Sequence, residues 1–199
     1  MTNELSNFGD HAEITMQANA KIPEGMGIEG WFHVVCHDKD GNFKWETKSP
    51  NLVVAAGKQL MLDTLMRGSS YSVTGPYLGL TNASLTPAAA DTMASLSGKE
   101  FTNYTVSGSA VRGTAVFAAS TSTGSTPSNV TSSTATAITY TITGGGGTVY
   151  GCFLVLGTGA VSTQNSTAGT LYSESNFSVS KGTTAGDTVS VTYSTTATS

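Results

Sequence analysis

Ile28-Glu29-Gly30-Trp31-Phe32-His33-Val34-Val35-Cys36-His37-Asp38-Lys39-Asp40-Gly41-Asn42-Phe43-Lys44-Trp45-Glu46 is the stretch whose reading decides the fold. Trp31 through Cys36 is aromatic and β-branched, the composition of a buried strand. His37 to Asn42 is a polar turn in which Asp40 and Gly41 adopt positive φ at little cost. Phe43 and Trp45 then alternate with Asn42, Lys44 and Glu46, as in a strand with one covered face. The stretch is therefore a β-hairpin, with Trp31 and Trp45 assigned to the core and the rest of the chain adding strands around it.

Downstream, Leu52 to Ala56 leads into a predicted short helix over residues 57–67. Leu60, Leu65 and either Met61 or Leu62 form its apolar stripe, Arg67 suits its C-terminal end and Gly68 closes it. Tyr77-Leu78-Gly79-Leu80-Thr81 reads as a strand. Residues 82–98 read as a long connection, with a helical turn capped by Thr86 and started by Pro87. Phe101, Tyr104 and Val106 begin another strand region. Residues 119–134 are almost wholly Ser, Thr, Ala and Gly and read as a long loop or polar edge strand.

Further on, Ile138, Tyr140 and Ile142 alternate with threonines, and Gly144 to Gly147 form a permissive turn into Thr148–Leu156, giving a second predicted hairpin. Phe177 and Val179 are predicted to share a face. The last strand is the clearest, with Val189, Val191 and Tyr193 inward. About eight to ten strands and one helix define an all-β protein, an antiparallel sandwich or a jelly-roll-like barrel. Residues 1–27, where Pro23 and Gly25 interrupt any element, read as an extended N-terminal arm on a single β domain, 28–199.

Composition narrows function mainly by exclusion. The chain has 199 residues, enough for one medium core, and only 11% are charged. A net charge of −4, without clustered Lys and Arg, gives no footprint for nucleic acid. Past Arg112 the charged residues are Glu174, Lys181 and Asp187, so the C-terminal half is nearly neutral, as suits a surface used in assembly. No apolar run approaches the ~20 residues of a membrane span, and the first residues lack a secretory signal's basic start and apolar core. No membrane partner and no export are expected.

Candidate chemistry is sparse. Cys36 and Cys152 sit in apolar strand-like runs and read as free buried thiols. On a strand, His33 and His37 lie roughly 13 Å apart, too far for one metal shell, with Cys36 on the opposite face. Asp38 to Asn42 lacks the further ligands of a calcium loop. No nucleophile elbow and no phosphate loop is present. The expectation is a non-enzyme, with no catalytic, cofactor-binding or metal-binding residue and no cofactor.

Gly30 to Asn42, Lys44-Trp45-Glu46 and Asn51-Leu52-Val53-Val54 resemble the N-terminal part of a family of small β-rich virion structural proteins of tailed bacteriophages. Tyr77 to Leu80, Ala90 to Ser95 and Glu100 to Tyr104 resemble its middle, and Thr170-Leu171-Tyr172 with Gly186 to Tyr193 its end. The resemblance implies a capsid cement or decoration protein, located in the virion, with the major capsid protein as partner and self-association as a homotrimer at three-fold positions. The arm and the polar loops after Ala118 would then make the contacts. The alternative it leaves open is a tail or fibre-associated protein that touches the host surface and binds carbohydrate through Tyr71, Tyr77, Tyr104 or Tyr150.

Overall fold

Alternation is realised most fully in β1 (Gly27–His37), where Phe32, Val34 and Cys36 are fully buried while Trp31, His33 and Val35 face the other way. The computed structural model describes residues 27–67, 73–117, 121–123, 126–130 and 137–198. The predicted arm, apart from Gly27, lies outside them. β1 pairs with β2 (Phe43–Pro50) as the predicted hairpin, with a bulge between Cys36 and His37. Of the two tryptophans expected in the core, Trp31 departs from it. Trp31 is 40% exposed on the outer face, with the Lys48 ammonium 5.0 Å from its ring. Trp45 packs at the rim of the core and donates its indole N–H to the Gly182 carbonyl at 2.9 Å. The reason is alternation: Trp31 lies on the face of β1 opposite the buried Phe32, while on β2, the edge of the sheet, Phe43 is exposed as well.

Two antiparallel sheets pack face to face, the sandwich form of the all-β expectation. The first has the order β2-β1-β13-β10-β6, built on β13 (Thr188–Thr198), β10 (Ile138–Ile142) and β6 (Tyr104–Thr105). Beyond β10, the same side of β13 carries β9 (Thr126–Val130), which pairs in turn with β8 (Thr121–Thr123), so part of the Ser/Thr-rich stretch is edge strand. The second sheet has the order β3-β12-β11-β4-β5, with β7 (Gly113–Thr114) also on β4. Its strands are β3 (Leu52–Val53), β12 (Thr170–Thr183), β11 (Gly147–Leu156), β4 (Tyr77–Thr81) and β5 (Glu100–Phe101). Val189, Val191 and Tyr193 of β13 stand opposite Cys36, Val34 and Phe32 of β1, and all six are fully buried between the sheets.

The second predicted hairpin is not formed. β10 pairs with β13 and β6, whereas β11 pairs with β12 and β4, so the glycine run carries the chain from one sheet to the other. Gly146 makes this crossing possible. It has φ +75°, and a side chain there would collide with the Thr183 backbone. The same kind of crossing separates Phe101, in β5, from Tyr104, in β6. Residues that read as one strand region thus serve two sheets.

Strand β11 is buried on both faces. Cys152 and Leu154 enter the core between the sheets, while Phe153 and Val155 enter a second cluster on the outer face of the second sheet, with Val54, Leu85, Met93, Leu96 and Leu171. Two loops, 82–99 and 157–169, cover that outer face. The helical turn expected at Thr86-Pro87 is displaced: the Asp91 carboxylate accepts the Ala88 N–H at 2.7 Å, and the turn that follows is a 3-10 turn, Met93–Leu96, capped by Thr92 and Ser95. Phe177 is buried but Val179 is exposed. β12 is irregular between Asn176 and Lys181, which breaks the two-residue alternation.

The helix α1 (Ala55–Met66) differs from its predicted stripe. Gly57 and Leu60 are buried and Met61 half-buried, but Leu62, Leu65 and Met66 are 51%, 72% and 76% exposed. Gly57 lies so close to the Tyr172 backbone that any side chain would overlap it, so the first turns seat tightly on β12. The last turn is left uncovered. Gly68, its predicted terminator, lies outside the described residues.

Candidate functional site

The residues that invite a metal reading are occupied by local structure. His33 Nε2 lies 2.5 Å from Glu46 Oε1 across the hairpin, while Cys36 points into the core. Asp38 accepts the N–H groups of Asp40 and Asn42 at 2.9 and 2.8 Å and the Asn42 side-chain amide at 3.0 Å, and these bonds hold its carboxyl below the usual range. Among the described residues no three of His, Cys, Asp or Glu converge as a metal site would require. Cys36 and Cys152 are free thiols on opposite sheets, and burial pushes Cys36 up to about 11.

The most prominent surface feature is the apolar end of the sandwich. α1 and the end of β11 enclose a groove of about 560 Å³ lined by Leu60, Met61, Leu62, Leu65, Val73 and Leu156. A hollow of about 390 Å³ adjoins it through Met61 and Leu156 and continues between the sheets to Ile28, Phe117, Tyr172 and Tyr193. The lining of both carries no charged side chain. Soluble proteins scatter single apolar residues on their surface, but a contiguous set beside an apolar groove marks a contact site. Covering a side chain such as Leu65 contributes about 1.5–3 kcal/mol. Ile28 borders the hollow, so β1 begins at this end.

A second concavity, about 470 Å³, is polar. Asn82, Thr102, Asn103, Thr148 and Tyr150 line it, over the buried Phe101. Asn103 is held by a 2.8 Å bond from its side-chain amide to the Gly146 carbonyl. Of the tyrosines singled out by sequence, Tyr150 lines this hollow, Tyr104 is fully buried, Tyr77 packs on the outer cluster, and Tyr71 lies outside the described residues.

No family model, no curated protein and no solved structure matches this chain. Its own geometry therefore carries the functional reading, together with the resemblance stated above.

Sequence inspection missed the buried charges, because burial here comes from loops remote in the chain. Arg112 is 1% exposed and grips Glu100 with two bonds, of 2.9 and 2.7 Å. It also donates to the Ser166 carbonyl at 2.6 Å and lies over the Phe153 ring, while Glu100 accepts the Asn165 N–H at 2.7 Å. Asp187, likewise 1% exposed, accepts Lys44 Nζ at 2.6 Å and the Thr184 N–H at 2.8 Å. Burial works to raise Asp187, but the bonds from Lys44 and Thr184 outweigh it and hold the carboxyl low. Each of these groups ties a loop to a strand.

Proposed function

We propose that this chain is a structural virion protein, a cement or decoration protein that binds the capsid of a tailed bacteriophage and stabilises its shell through non-covalent contacts. The observation that carries the reading is the apolar end of the sandwich, where Leu62, Leu65 and Met66 stand uncovered beside a groove and β1 begins. A rigid sandwich with one uncovered apolar end suits an adhesive role. The resemblance across residues 28–193 supports the virion, and assembly as a homotrimer on the major capsid protein follows from shell symmetry. The test is the protein's copy number in purified particles, by quantitative densitometry against the major capsid protein. A cement protein is expected at about one copy per capsid subunit; a few copies per hundred subunits would overturn the reading.

The polar hollow at Tyr150 favours a second reading, a tail or fibre-associated protein that binds carbohydrate. An aromatic ring among uncharged amides and hydroxyls is the chemistry that a neutral sugar meets. Low copy number together with glycan binding lost in Tyr150→Ala would favour it.

A further inference from the structure

We propose that the strap formed by residues 82–99 is fastened to the outer face of the second sheet by a single proton shared between Glu174 and Asp91, so that the strap loosens as the solution passes from mild acid to neutrality. The proposal is independent of the virion reading.

Glu174 lies in the middle of β12, 1% exposed, in register with Leu52 of β3 on one side and Phe153 of β11 on the other. Neither neighbour can satisfy a carboxylate. Its Oε1 is buried with no donor in reach. A buried carboxyl oxygen in that position is costly unless the group is neutral or meets a donor. The polar groups that the carboxyl does meet, the Asp91 carboxylate and more weakly the Ala88 N–H, are both on the strap.

Two adjacent carboxylates repel, and neither has a hydrogen to donate. One proton between them replaces that repulsion with a charge-assisted O–H···O bond. The roles follow from the surroundings. Asp91 keeps the negative charge because it is the less buried of the two and its Oδ2 accepts the Ala88 N–H at 2.7 Å. Glu174, buried in an apolar setting, keeps the proton and donates it.

The other charges nearby are few. Lys99, also on the strap, acts on both carboxyls as a minor influence. Arg112 stands beyond Phe153 and is bound to Glu100. α1 meets β12 at Tyr172 through Gly57 and Met61, and β2 meets it through Ser49, all uncharged. Lys99 is the cation that favours the doubly ionised pair, and it ranks last among the influences on each carboxyl.

Burial, and next the Asp91 carboxylate, push Glu174 up to about 7, while the bond from Glu174 holds Asp91 below its usual range. Glu174 has a raised folded value, so its contribution is complete below the ordinary glutamate range, about 4.3, and is lost progressively as pH rises from there to about 7. Asp91 has a lowered one, so its contribution is lost only as pH falls below the ordinary aspartate range, about 4. The fastening is therefore tightest in mild acid and weakens toward neutrality. The strap's remaining ties are the Leu85 N–H to Asn176 Oδ1, the Ala55 N–H to the Ala89 carbonyl and the buried Leu85, Met93 and Leu96, so loosening is local. It uncovers Val54 and Phe153, an apolar face that is closed in mild acid.

The test is amide hydrogen exchange of the full chain from pH 4.5 to 9, corrected for intrinsic exchange. The N–H groups of Asn82, Leu85 and Ser95 report the strap, and those of Val189 and Val191 serve as reference. Strap protection is expected to fall by up to about tenfold per pH unit, the limit for one proton, as pH rises to about 7 and to level off above it, with the reference unchanged. In Glu174→Gln the amide donates to Asp91 at every pH, and the fall should vanish. Asp91→Asn provides a second check, because its amide donates to ionised Glu174 and should also abolish the fall. A strap that tracks the reference strand, or an unchanged fall in both variants, would overturn the proposal.

Discussion

Two buried carboxyls on the outer face of the second sheet hold two loops in opposite ways. Glu100 secures loop 157–169 through Arg112, with a two-bond guanidinium–carboxylate contact and further bonds to the Asn165 N–H and the Ser166 carbonyl. Glu174 secures loop 82–99 through another carboxyl. Phe153 lies between them, touched by Arg112 and paired in register with Glu174. The two side chains share a face and are equally deep, so burial alone does not set their behaviour. The partner does. A cation gives a fastening that needs no titrating proton, and a second carboxylate gives one that depends on it.

The largest test of that contrast is Arg112→Met. It leaves Glu100 buried without its cation and the Ser166 carbonyl without its donor, at an expected cost of about 3–5 kcal/mol. Urea unfolding at pH 6 measures it. A loss under about 1 kcal/mol would mean that the ion pair adds little beyond its apolar surroundings.

The proton-held side predicts a smaller effect with a pH signature. On moving from pH 6 to 8.5 the wild-type urea midpoint should fall by an amount equivalent to roughly 1–1.5 kcal/mol, because the folded state holds a proton on Glu174 at pH 6 that the unfolded chain does not. Glu174→Gln should flatten that dependence. A variant that falls as steeply as wild type would assign the effect to another group.

The smallest expected effect lies at the helix. Leu65→Ser should change stability by less than about 0.5 kcal/mol, since Leu65 is 72% exposed, whereas Leu60→Ala should cost about 2–5 kcal/mol. Thermal or urea midpoints of the two variants, side by side, test whether the last turn of α1 is as uncovered as it stands.

The elements legible in the sequence are those whose side chains alternate against one neighbour on each side. β1 and β13 show this plainly: Phe32, Val34 and Cys36 interleave with Val189, Val191 and Tyr193, and two-residue periodicity alone locates them. Crossings between sheets were not legible. Gly144 to Gly147 permits a hairpin turn and a change of sheet equally well, and only the pairing of β10 with β13 decides between them. The helix misled for a related reason. Leu65 has the right spacing for a buried stripe, but the packing is made by the first turns, at Gly57 and Leu60. The surface candidates fared unevenly: Tyr150 lines a polar hollow, while Tyr104 is wholly inside. Glu174 gave no local signal, because its burial comes from a loop some eighty residues earlier in the chain.

The claim that the uncovered end of α1 joins the protein to its particle is tested most directly by a doubly charged variant, Leu65→Glu/Met66→Glu. Purified variant and wild type would each be added to particles lacking the protein and then sedimented with them. The expected result is an unchanged unfolding midpoint with binding to the particles lost. Binding equal to wild type from the folded variant would contradict the claim and move the contact surface elsewhere on the sandwich.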